Sequence, residues 1–149
     1  MRCSYLLVAC GLATVMMTAG SAVARPVSAV VNPCKLVTAA DAKSALGATP
    51  AKAQPVTVGL YESCGYSVRN LRLGVLVRRI SKSGFVKSAK ANPKPVNAIP
   101  GIGDSAFSVG GGASLLVWRN GTEAEFAIFG VHSPLGREEQ LARKVIGRL

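Results

Sequence analysis

Ser114-Leu-Leu-Val-Trp118-Arg-Asn120-Gly121-Thr122-Glu-Ala-Glu-Phe126-Ala-Ile-Phe129 is the stretch whose reading decides the fold class. Two apolar runs meet at Asn-Gly, a pair that readily takes the positive φ angles of a tight hairpin turn. The turn sets the register. Trp118 should stand opposite Glu123, Leu116 opposite Glu125 and Ser114 opposite Ala127, with Phe129 following on the same side. Leu115, Val117, Ala124, Phe126 and Ile128 then share the other side, so both faces of this hairpin are partly apolar.

Working outward, residues 105–109 read as a further strand, joined to the hairpin through Gly110-Gly111-Gly112. Ahead of it lies a loop rich in Pro and Gly over residues 94–104. Earlier still, Leu71, Leu73, Val75 and Val77 alternate with Arg72, Gly74, Leu76 and Arg78, a period of two with one apolar face. Residues 56–68 read as one more strand segment, turning near Arg69-Asn70. Three helices frame these strands. Thr38 caps a first helix over residues 39–46, with Asp41 three residues on and Gly47 as its left-handed stop. Ser81 caps a second, which ends at Asn92-Pro93 because the residue before proline is pushed out of the helical region. Ser133-Pro134 opens the last, with Leu141, Ala142, Val145, Ile146 and Leu149 as its buried stripe. The expected order is α-β-β-α-β-β-β-α. It forms an α+β domain, an antiparallel sheet of about five strands with helices packed on one face.

The chain opens with Arg2, an apolar stretch and Ala22-Val23-Ala24, the pattern of a secretory signal peptide over residues 1–24, cut after Ala24. Leu7-Val8-Ala9-Cys10 has the residue types of a lipoprotein cleavage box, but it leaves too short an apolar region before Cys10. Cleavage leaves about 125 residues, one domain with one core. Residues 25–33 read as an extended lead-in and 34–149 as the domain. Mean hydropathy of +0.33 is inflated by the leader. Of four cysteines, Cys3 and Cys10 leave with it. Cys34 and Cys64 remain, and in an exported chain such a pair reads as a disulfide. Two Cys and the single His132 fall short of a structural zinc site, so no metal is expected.

Cys34-Lys-Leu-Val-Thr38-Ala-Ala-Asp41, Cys64-Gly-Tyr66 and Gly101-Ile-Gly103-Asp104-Ser-Ala106-Phe107 together resemble a broad group of small exported bacterial proteins and lipoproteins of unknown function. That group has a Cys-x-Leu-x-Thr helix start, a second Cys before an aromatic strand residue and a Gly-x-Gly-Asp turn. The resemblance implies export and the Cys34–Cys64 bridge. It implies no activity.

Motifs for chemistry are sparse. Gly101-Ile102-Gly103-Asp104-Ser105-Ala106 fits a loose dinucleotide pattern, but no strand precedes it and there is no room for the helix such a site requires. It reads as a turn, and no cofactor is expected. His132 with Asp104, or the Glu123/Glu125 pair, would be the residues of an envelope-directed hydrolase. No G-x-S-x-G elbow accompanies the histidine, and the glutamates read as a solvated hairpin edge, so the chain is expected not to be an enzyme.

The charge is more informative. The sequence carries 18 Lys and Arg against 7 Asp and Glu. No acidic residue occurs between Gly65 and Gly103, where Arg69, Arg72, Arg78, Arg79, Lys82, Lys87, Lys90 and Lys94 all fall. Such a field recruits polyanions. For a periplasmic or secreted protein these are anionic lipid head groups or envelope polymers rather than cytoplasmic nucleic acid. Leu116, Trp118 and Phe129 form a second candidate surface, for a protein partner or for a homodimer of a structural accessory protein. The sequence therefore points to an exported binding module with a basic surface.

Overall fold

The structure, a computed structural model, describes residues 31–149. The expected signal peptide, the Cys10 box and most of the lead-in lie outside the described residues. Seven antiparallel strands form one sheet in the order β1-β2-β3-β7-β6-β5-β4. They are β1 Gln54–Val58, β2 Tyr61–Val68, β3 Leu71–Arg79, β4 Asn97–Ala98, β5 Ser105–Val109, β6 Ser114–Arg119 and β7 Thr122–Phe129. The helices are α1 Pro33–Leu36, α2 Ala39–Leu46, α3 Lys82–Lys90 and α4 Leu135–Val145, followed by a 3-10 turn Ile146–Arg148.

The α+β class holds, and three details of the expected fold are corrected. A short helix, α1, precedes the three expected ones, with Asn32 as its N-cap. The count of strands rises from about five to seven. Gly59, at φ +61°, turns the chain within the stretch read as one strand, so that β1 folds back on β2. Asn97–Ala98 adds a two-residue edge strand inside the Pro- and Gly-rich loop. Helices also cover both faces. α1, α2 and α4 pack on the face carrying Leu73, Val75, Val77, Leu115, Val117 and Phe126, which forms the main core. α3 packs on the other, where Phe85 and Ala89 meet Leu116 and Val109. The physical reason lies in β6, whose side chains are apolar on both sides, so one layer of helices could not bury them.

Local rules explain most elements. Thr38 and Asp41 form a reciprocal capping box at α2, and Gly47 closes it in the left-handed region. Ser81 caps α3 through the Gly84 amide. Asn120 and Gly121 both have positive φ, and the hairpin register is the expected one, Trp118 opposite Glu123 and Leu116 opposite Glu125. A disulfide joins Cys34 to Cys64 with Cα atoms 5.2 Å apart, tying α1 to β2. The Tyr66 hydroxyl donates to the Val37 carbonyl beside it. Among the described residues no helix is long and apolar enough to cross a membrane.

Candidate functional site

β3 and β7 are the central partners, and their pairing brings the basic strand against the Glu-bearing one. Arg78 stands opposite Glu123 and Arg72 opposite Phe129. The two arginines have different fates. Arg78 donates to the Glu123 carboxylate at 2.8 Å and to Ser88 of α3 at 2.9 Å, with its guanidinium over the Tyr61 ring. Arg79 donates to Thr122 Oγ1 and the Asn120 carbonyl. Arg78 is spent inside the fold, whereas Arg79 stays exposed beside the hairpin turn. Arg69 and Arg72 at the opposite end are exposed, as are Lys82, Lys87, Lys90 and Lys94 on and after α3.

On the other side of the molecule three cations are paired, while Lys35, Lys43 and Arg137 are exposed and enter no ion pair among the described residues. Asp41, 2 % exposed, accepts from Lys144 at 2.9 Å and Arg148 at 2.6 Å, and Arg143 pairs with Glu139 at 3.6 Å. Burial alone would raise the Asp41 carboxyl, but hydrogen bonds from Arg148, Lys144 and Thr38 outweigh it and hold the group well below the usual carboxylate range. A groove of about 550 Å³ between α2 and α4 is lined by this already paired Asp41 and Lys144. Among the described residues, none of Arg69, Arg72, Lys82, Lys87, Lys90 and Lys94 enters an ion pair.

α3 covers only the β5–β6 half of its sheet face. It buries Leu116, which is 7 % exposed, and half-buries Trp118, whose indole N–H donates to the Ile80 carbonyl while the Lys82 ammonium lies 5.9 Å from the ring. Of the three residues expected to form an apolar patch, Phe129 alone is open, at 56 % exposure.

The part of the same face on β1, β2 and the Arg72 end of β3 carries no helix, and α3 reaches β3 only at Arg78 through Ser88. Register places Gln54 beside Gly65, Gly65 beside Gly74 and Gly74 beside Ala127. Of this row only the adjacent Gly65 and Gly74 are bare, a trough with a floor about 5 Å across at ordinary strand spacing, with the Gln54 side chain at its β1 end and the buried Ala127 at its β7 end. A Cβ on Gly65 would meet nothing within 4 Å, and one on Gly74 would touch only atoms at 4.0 Å, including Phe129 Cε2. Ser67, Arg72 and Phe129 form one wall, and Ser63 and Leu76 the other. The groove of about 860 Å³ on this face is also lined by Lys52, Arg69 and Asn70.

The hydrolase residues are not assembled. Asp104 accepts from the Asn120 amide at the β6–β7 turn, whereas exposed His132 follows the far end of β7. The eight residues of that strand separate them by about 20 Å. Glu123 is not a solvated edge residue: it is 2 % exposed, burial raises its pKa, and Arg78 counters that rise. The Gly101–Asp104 turn is structural. A Cβ on Gly103 would fall 2.7 Å from Val117 Cγ1, and the Asp104 amide donates to the Trp118 carbonyl.

Glu138 is a third buried acid, in addition to Asp41 and Glu123. Glu138, fully buried in the first turn of α4, accepts the Ile128 amide at 2.7 Å, and its other oxygen has no partner. Burial pushes its pKa up to about 7.

No family model, curated protein or solved structure matches the chain.

Proposed function

We propose that the chain is a non-catalytic, exported binding module that holds an anionic polymer against the sheet face shared by α3, Arg69 and Arg72. One observation carries this reading. Six cations, Arg69, Arg72, Lys82, Lys87, Lys90 and Lys94, stand exposed on the α3 side and the adjoining sheet end without ion-pair partners among the described residues. On the α2–α4 side Arg143, Lys144 and Arg148 are paired with Glu139 and Asp41, whereas Lys35, Lys43 and Arg137 are not paired. The exposed cations give a field that steers and concentrates polyanions, and such a field weakens with salt. The Cys34–Cys64 bridge suits an oxidising compartment and supports export.

The test is binding of the oxidised chain to inorganic polyphosphate and to a neutral polymer of similar length across a salt series. The reading expects polyphosphate binding at low salt, a steep decline with added salt and no neutral-polymer binding. Absence of polyphosphate binding at low salt overturns it.

A further inference from the structure

The trough carries more information than its charge. A polymer held by cations alone needs no floor, and long side chains at positions 65 and 74 would serve it as well as glycine. Here two paired glycines leave bare backbone, with Phe129 leaning over one end and Arg72 beside it. Such a floor admits a flat ring against the sheet, and an exposed aromatic ring is a surface on which the C–H face of a sugar lies. Arg72 offers the planar fork that matches a carboxylate, with Lys52 and Arg69 as further cations. Gln54, Ser67 and Asn70 are neutral hydrogen-bonding groups of the kind that satisfy hydroxyls.

We infer that the trough binds an acidic polysaccharide, its uronate rings crossing β2 and β3 over Gly65 and Gly74 with a carboxylate on Arg72 and a ring face on Phe129. The inference rests on the polyanion reading above and deepens it. Single-stranded nucleic acid fits less well, because successive bases need successive aromatic platforms and Phe129 is the one exposed aromatic among the described residues. Glu125, on the far wall beyond Leu76, is the acid nearest the inner end, since Arg78 neutralises Glu123. It confines the anionic groups to the Arg72 side.

The experiment titrates the oxidised chain with tetragalacturonate, its methyl ester, inorganic polyphosphate and anionic phospholipid vesicles. Gly65→Val and Phe129→Ala are the variants. The first enters open space on a strand and the second removes an exposed ring, so unchanged circular dichroism and melting temperature accompany each. Tetragalacturonate should bind, its methyl ester about tenfold more weakly, and each variant should lose about tenfold for tetragalacturonate while keeping polyphosphate affinity. If tetragalacturonate and polyphosphate both bind and neither responds to the two substitutions, the glycan assignment fails and the polyanion reading stands. If vesicles bind in place of tetragalacturonate, the occupant is a lipid surface and the assignment fails. If nothing binds at low salt, both readings fail together.

Discussion

Arg72 and Phe129 stand directly opposite each other on β3 and β7, an exposed cation beside an exposed ring at the edge of a glycine floor. Six residues further along β3, Arg78 stands opposite Glu123 in a pair that is almost wholly buried. One strand thus carries an outward-directed arginine at one end and an internal arginine at the other.

That contrast predicts opposite stability effects. Arg72→Glu should change unfolding free energy by no more than about 0.5 kcal/mol, as for exposed substitutions generally. Arg78→Ala should cost about 3 kcal/mol, because it leaves the Glu123 carboxylate buried without its cation. Urea unfolding of the two variants checks the difference.

The Cys34–Cys64 bridge closes a loop with a sequence separation of 30. On the chain-entropy account its loss should cost about 3.6 kcal/mol. Cys34→Ala/Cys64→Ala, compared with wild type in urea, should show that reduction, and the wild type with reductant should approach the variant.

Two buried acids impose opposite pH dependences. Asp41 has a lowered pKa, so its stabilisation is present above the unfolded carboxylate value and is lost as pH falls towards the folded one. Asp41→Asn should flatten the acid limb of the stability curve. Glu138 has a raised pKa of about 7, so the folded chain binds more protons than the unfolded one between about pH 4.5 and 7. Stability should therefore fall as pH rises through that window, by on the order of 3 kcal/mol. Glu138→Gln should reduce the slope, leaving the smaller part that comes from the raised pKa of Glu123, and urea midpoints measured at half-unit pH steps will show whether it does.

Phe85 is fully buried between α3 and the sheet, with its ring centroid 5.5 Å from that of Phe107. Phe85→Ala should cost about 3–5 kcal/mol. It should also loosen α3 from Leu116 and Trp118. Because Trp118 is the sole tryptophan, its fluorescence should shift to the red in the folded variant.

Local chemistry made much of this fold legible. Thr38, Gly47, Ser81 and Asn120-Gly121 each act over a few residues, and the structure uses each as its residue type suggests. The hairpin register followed from the turn alone. What the sequence hid was long-range. That β3 pairs with β7 depends on contacts some 50 residues apart, and it is this pairing that buries Glu123 under Arg78 and aligns Gly74 with Ala127. The apolar character of both β6 faces was visible, but not that α3 would cover the second. The trough had a signal that went unused. Gly65 and Gly74 interrupt strands of otherwise regular alternation, and a glycine inside a strand often marks close approach by a backbone or ligand. Lys52 and Gln54 join the site only because β1 folds back at Gly59, which the periodicity did not separate from β2.

The most direct measurement of the central claim compares two double charge reversals that alter net charge equally. Arg69→Glu/Arg72→Glu changes the uncovered sheet face, and Lys35→Glu/Lys43→Glu changes exposed positions on α1 and α2 across the molecule. Polyphosphate affinity at low salt should fall at least about tenfold for the first pair and change little for the second. Equal losses for the two pairs would show that binding follows net charge alone and would contradict a site on this face.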